Sequence, residues 1–140
     1  ISRIPLIVRW PEGIEVPGRT VSGIVEAVDV APTILEAAAI QVPPHLQGAS
    51  LGAALCQGKD PGKNGALVEH TGWRSFRSHT HRYIARADGG ELLFDLEAPW
   101  GEYRDIAREP AAAAALSDHR RMLLHRLISS ERPQTRIWPY

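Results

Sequence analysis

Residues 81–96 read His81-Arg82-Tyr83-Ile84-Ala85-Arg86-Ala87-Asp88-Gly89-Gly90-Glu91-Leu92-Leu93-Phe94-Asp95-Leu96, and their pattern decides the fold. Two runs rich in apolar residues flank Asp88-Gly89-Gly90. Glycines after an aspartate accept the backbone of a tight turn, so this stretch predicts a β-hairpin. Within Glu91–Leu96 the alternation sets Leu92, Phe94 and Leu96 against Leu93 and Asp95, which is the period of a strand. Moving upstream, Ser75–Ser78 and Leu67–Val68 read as two shorter strands. The reading is a four-stranded antiparallel meander.

Downstream, Ala98-Pro99-Trp100-Gly101 turns the chain and Glu102–Ala107 reads as a short helical segment. Pro110 opens a last helix, since proline at a helix start forfeits no helical hydrogen bond. Leu116, Leu123, Leu124, Leu127 and Ile128 recur at near-helical spacing and form its expected buried stripe. Glu131–Tyr140 reads as extended, and Trp100, Trp138 and Tyr140 are candidate packing anchors.

The first part of the chain has a different texture. Ile4-Pro5-Leu6-Ile7-Val8, closed by Arg9-Trp10-Pro11, lacks polar alternation and predicts a strand buried on both faces of a parallel sheet. Thr20–Val30 fits either strand or helix. Asp29 followed by Pro32 predicts a capped helix over 32–39 that buries Ile34, Leu35 and Ala38. Pro43-Pro44 stops it, and Gly48–Leu55 leads into a short helical turn. The whole is an α/β chain in two parts. Residues 1–65 hold a buried strand, a helix and a loop, and residues 66–140 hold the antiparallel sheet with its final helix.

At 140 residues, with 44% hydrophobic residues, 23% charged residues and zero formal net charge, the chain has an ordinary globular composition. A neutral balance offers no electrostatic footprint for nucleic acid or an anionic membrane surface. Its apolar runs are too short to span a bilayer. Lys59 and Lys63 are the only lysines among 16 basic residues, an arginine skew of the kind found in GC-rich bacterial genomes. Cys56 stands alone, which excludes an internal disulfide and a cysteine metal cluster. A single thiol fits a cytoplasmic or a periplasmic protein equally. A chain that opens on Ile1, inside a strand-like run, is expected to be a piece of a longer protein.

Five ordered segments together resemble the sulfatase family of the alkaline phosphatase superfamily. Ser2–Pro11 is similar to the strand that follows the family's last catalytic residues. Val28-Asp29-Val30-Ala31-Pro32-Thr33-Ile34-Leu35-Glu36 resembles its "V-D-hydrophobic-x-P-T-hydrophobic-L" helix start, and Leu46-Gln47-Gly48-Ala49-Ser50-Leu51 its "hydrophobic-x-G-x-S-L" loop. Arg77–Ile84 is similar to its paired strands reading "R-T-x-x-x-K-Y". Glu91–Glu102 resembles its "E-L-Y-D-L-x-x-D-P-x-E" strand and turn. The match runs from residue 1 to about residue 128. Ala39 replaces the usual glycine after the helix, Ala98 a common aspartate, and Arg82 the lysine of "K-Y".

The resemblance implies the C-terminal part of a sulfatase-like fold and a parent that cleaves sulfuric esters. Such enzymes use a formylglycine, made from a cysteine in a "C-x-P-x-R" setting, and calcium or magnesium on oxygen ligands. Both are expected in the part of the family that precedes Ile1, a catalytic domain that would be this chain's partner. Cys56 lies in Leu55-Cys56-Gln57-Gly58-Lys59, without the motif's proline and arginine, so no catalytic or metal residue is assigned here. A phosphonate or phosphate monoester hydrolase on the same scaffold, and a non-catalytic interaction module, are the alternatives. An unpaired Ile4–Val8 run is expected to expose apolar surface and favour a homo-oligomer through its edge.

Among local clusters, Glu69-His70-Thr71-Gly72-Trp73-Arg74 stands out, because loops after strands often carry binding groups. His70, Trp73 and Arg74 are the candidate substrate-rim residues: Arg74 to pair with a sulfate oxygen, Trp73 to stack on a ring. The competing reading is a turn with a half-buried tryptophan. His79 and His81 are two apart and would share one side of a strand, although no third ligand accompanies them and packed histidines are favoured. His119 and His125, six apart, do not share a helix face. Asp29 reads as a helix cap rather than a catalytic acid, Asp95 as a turn-holding carboxylate, Cys56 as a small buried group and Arg120-Arg121 as a solvated face.

Overall fold

A computed structural model describes residues 3–131. Four strands form one antiparallel sheet in the order β1-β2-β3-β4: β1 Ala66–His70, β2 Trp73–Arg77, β3 His81–Arg86 and β4 Glu91–Asp95. The meander therefore follows the alternation read from residues 66–96. Leu67, Phe76, Tyr83 and Leu93 face one another across all four strands. Paired residues project to the same side of a sheet, so these four make one transverse apolar row.

That row is the core. A helix, α3 (Ala113–Ser130), lies across it and contributes Leu116 and Leu123, and the loop before it adds Ile106 and Ala112. Leu93 is fully buried. Truncating such a core leucine to alanine costs roughly 2–5 kcal/mol, because a cavity adds to the lost transfer energy. The expected helical stripe is corrected in two places. Leu124 and Ile128 are exposed, and the third buried position of α3 is His119.

Each outer edge of the sheet has one residue engaged from outside it. The N–H of Leu67 on β1 donates to the Glu26 carboxylate (2.8 Å). On β4 the N–H of Leu93 donates to Asp105 (2.9 Å), and Leu93 O accepts from Ile106 N (2.8 Å). Carboxylates on edge amides block the pairing that open edges invite. Asp88 holds the β3–β4 turn by accepting from Gly90 N (2.9 Å), and Asp95 accepts from Glu97 N and Ala98 N at the end of β4. After it, residues Gly101–Tyr103 make one 3₁₀ turn where a longer helical segment was expected.

Upstream, α1 spans Val30–Ala37 and α2 spans Gly52–Gln57. The helix thus starts earlier than the expected 32–39, with Pro32 buried in its first turn. Ile34 is exposed and Leu35 half-buried, and Ala38 is exposed too, so the predicted apolar face of this helix is wrong. The run Ile4–Val8 is not a strand. A strand exists by pairing its backbone, and no described strand lies beside it. Ile7 is 89% exposed, as the reading of unpaired apolar surface requires.

Candidate functional site

The β1–β2 turn gathers the three candidate rim residues at one end of the sheet. His70 closes β1 and pairs in register with Trp73, which opens β2. Gly72 takes a φ of 86° between them, a left-handed conformation that is cheap only without a Cβ. The His70 and Trp73 rings stack, with centroids 5.3 Å apart and planes 16° apart. The Nδ1 atom of His70 lies 2.9 Å from Thr71 O. A carbonyl oxygen only accepts, so Nδ1 is the donor of this pair.

Arg74 is engaged at the turn itself. Its Nη1 donates to His70 O (2.8 Å) and Trp73 O (3.1 Å), and its Nε lies 2.7 Å from the Glu69 carboxylate. The guanidinium is thereby neutralised and ties the two ends of the turn together. Ala87 N donates to Gly72 O (2.8 Å), which fastens the tip to the end of β3. Glu69, His70, Thr71, Gly72 and Arg74 line an open hollow, and Trp73 backs it without lining it.

The family-like motifs of residues 28–51 form a second cluster. Asp29 is fully buried. Its Oδ1 accepts from Ala49 N (2.9 Å), its Oδ2 from Glu26 N (2.8 Å), and Lys63 Nζ lies 2.7 Å from both oxygens. Asp29 therefore holds the 3₁₀ turn before α1 and the following loop. It makes no side-chain cap to α1, a correction to the cap reading. Thr33 Oγ1 donates to Asp29 O and accepts from Leu51 N (2.9 Å). Gly48 passes so close that a Cβ would sit 1.9 Å from Val28 O. Asp29, Thr33 and Gly48 are thus contacts between two loops. Lys63 also pairs with Glu26 (2.7 Å), which Arg126 of α3 meets at 3.1 Å.

The histidines separate. His79 sits in the β2–β3 turn and is exposed, whereas His81 is in β3, so they do not share a strand side. The ring of His81 meets His119 instead, at 5.2 Å. His119 is buried, with Nδ1 2.7 Å from Ala115 O and Nε2 2.9 Å from Ser78 Oγ. Desolvation by burial, aided by the neighbouring His81, holds its pKa below 6.5 despite the Ala115 carbonyl. His125 is exposed and Cys56 half-buried. Arg120 is no free solvated group: it grips Glu91, which also accepts from the Tyr83 hydroxyl. The Arg120 bond lowers the Glu91 pKa to about 2, and burial raises that of Tyr83 to about 12. Trp100 carries Arg104 over its ring at 4.9 Å, whereas Trp138 and Tyr140 lie outside the described residues.

Among the described residues no three His, Cys, Asp or Glu side chains converge on a metal position. The buried carboxylate that could serve, Asp29, is already filled by Lys63 and two backbone amides. A cation would therefore find no free lone pair on Asp29. His119, Ser78, Glu26 and Arg126 were not read as functional or structural partners from sequence. Their contacts span up to 100 positions, and no local spacing announces them.

Fold and clamps together define a sulfatase-type C-terminal domain of the alkaline phosphatase superfamily. The family model "N-sulphoglucosamine sulphohydrolase, C-terminal" matches residues 1–128, and the chain belongs to that family. It is 29% identical over 123 residues to Arylsulfatase K of Xenopus laevis, covering 76% of this chain and 23% of that protein. Over 61 residues it is 48% identical to an N-acetylglucosamine-6-O-sulfatase of Bacteroides thetaiotaomicron, covering 43% of this chain and 11% of that protein. A solved chain in complex with its substrate D-glucosamine-2-N,6-O-disulfate matches with a TM-score of 0.82 and 27% identity, covering 92% of this chain and 29% of that one. The chain thus spans less than a third of the relatives it matches.

Proposed function

We propose that this chain is the C-terminal part of a sulfuric ester hydrolase, where it braces a preceding catalytic part and rims the substrate entrance with the β1–β2 tip. The observation that carries the reading is the apolar surface of the first part of the chain. Ile4, Ile7, Val16, Val28, Ile34 and Ile40 are all exposed, and soluble domains rarely leave so much apolar surface uncovered without a partner. A cleft of about 500 Å³ runs between Ile4–Leu6, Gly23–Ala27 and the sheet residues Ala66 and Arg77. The catalytic part, carrying formylglycine and calcium or magnesium, is the partner that such a face fits. Self-association through Ile4–Val8 is the fate of the same surface when that partner is absent.

The names of the relatives favour sulfate esters over the phosphonate and phosphate alternatives. The test uses the protein with the part that precedes Ile1, assayed with calcium on an aryl sulfate and on an aryl phosphonate. Faster turnover of the sulfate is expected, and the 140-residue chain alone is expected to be inactive. Preference for the phosphonate, or turnover by the chain alone, would overturn the reading.

A further inference from the structure

We propose that His119 is a proton-operated latch on the β2–β3 turn: neutral, it holds Ser78; protonated, it releases the turn and loosens one wall of the neighbouring cleft. The proposal does not depend on which reaction the protein performs. Residues 78–80 join β2 to β3, and the bonds that hold them meet at the Ser78 hydroxyl. Its oxygen accepts from His81 N (3.0 Å) and, at greater length, from Thr80 N (3.3 Å). It lies 2.9 Å from His119 Nε2 and 3.2 Å from His81 O. A hydroxyl has one proton and two lone pairs. With an amide on each lone pair, only its proton is left for Nε2, so this bond requires an unprotonated Nε2. The other ring nitrogen agrees: Nδ1 is 2.7 Å from Ala115 O, a pure acceptor, and is the donor there.

A proton on Nε2 breaks that count. The hydroxyl proton can turn to His81 O, but the oxygen then meets three donors with two lone pairs. The longest of the three bonds, from Thr80 N, is the one that yields. The new charge is also buried, 5.2 Å from the His81 ring, and a buried charge without full hydrogen bonding is costly. Movement of the turn, which admits water, relieves both. Arg77, Ser78 and His79 line the cleft of about 500 Å³. Leu96, whose N–H donates to Thr80 O (2.8 Å), lines it from the end of β4. The turn thus carries the effect of a proton beneath α3 to the cleft.

Few groups bias the latch. Burial lowers the His119 pKa most; the Ala115 carbonyl raises it, His81 of β3 lowers it and Asp118 of α3 raises it. The net is below 6.5, so the latch opens on the acid side of that value. Asp95 lies opposite His81 on β4 but uses Oδ1 for the amides of Glu97 and Ala98. Glu91 of β4 is held by Arg120 and the Tyr83 hydroxyl. From β2 and the loop before α3 the core takes Phe76, Ile106 and Ala112, which carry no charge.

The experiment measures amide hydrogen exchange by mass spectrometry in the full-length protein that contains this chain. Protection factors, which divide out the intrinsic pH dependence of exchange, are compared at pH 7.5 and pH 5.5 over residues 78–82 and 91–95. Protection over 78–82 should fall about tenfold at the lower pH, the worth of one hydrogen bond, while 91–95 stays unchanged. His119→Gln, which offers Ser78 an amide oxygen that does not titrate, should abolish the fall. His81→Gln should keep it. Ser78→Ala, which retains His119, should leave the turn equally unprotected at both pH values, and this arm stands even where the His119 variant fails to fold. Equal wild-type protection at the two pH values would overturn the proposal. So would a fall that survives His119→Gln, one that vanishes in His81→Gln, or one shared by 91–95.

Discussion

The Lys63 ammonium sits 2.7 Å from each carboxylate oxygen of Asp29, across 34 positions of sequence. Asp29 is sealed from solvent, and Lys63 is partly covered. A charge in that position is tolerated only because every lone pair is used, by Lys63 and by the amides of Glu26 and Ala49. The pair joins the start of α1 to the loop that leads into β1, and Glu26 carries the junction on to Arg126 of α3. The turn before α1, the loop before β1 and helix α3 are thus tied by this polar cluster.

Removing one member of a buried pair strands the other. Asp29→Ala should cost about 3–5 kcal/mol of stability. Urea titration should show a lower midpoint with the slope unchanged. Lys59→Ala, at an exposed site four residues from Lys63, should change stability by less than about 0.5 kcal/mol. If the two substitutions proved equivalent, the polar cluster would not be what holds this region.

Ala39 adopts a φ of 56° just beyond α1, at the position where the resembling family carries glycine. A Cβ in the left-handed region costs roughly 1–2 kcal/mol, partly offset by the entropy glycine loses on folding. Ala39→Gly should therefore stabilise the protein by about 1 kcal/mol or slightly less, read as a raised Tm in differential scanning calorimetry. A lowered Tm would contradict the assigned backbone.

His119 sets an acid limit. Its folded pKa lies below the ordinary 6.5, chiefly through burial, so the unfolded chain binds this proton more tightly. The contribution is fully present above pH 6.5 and is lost as pH falls through and below that value. Facing it are Ser78 and His81 from the sheet and Asp118 on its own helix. Chemical denaturation at pH 7.5 and at pH 5.5 should give a smaller difference for His119→Gln than for the wild type. An unchanged difference would place the acid sensitivity elsewhere.

The meander was legible because alternation is a local property. Leu93 against Leu92 and Phe94, with Asp88-Gly89-Gly90 before them, needs only neighbouring residues to be read. The β1–β2 turn was legible as a place: the sequence pointed to His70, Trp73 and Arg74 at a strand end. The contacts of Arg74 were not legible there. Whether Arg74 reaches outward or back to His70 O depends on a turn whose carbonyls converge only when β1 and β2 pair.

By itself, then, the sequence determined the strand order, the last helix, the family motifs and the absence of a sulfatase nucleophile setting around Cys56. Those rest on spacing along the chain. The tertiary structure decided which face of α3 is buried, what Asp29 is for and why Ile4–Val8 is not a strand. Each of those depends on a partner far off in sequence or on none being at hand: His119 needs Ser78, Asp29 needs Lys63, and a strand needs a neighbour to take its hydrogen bonds.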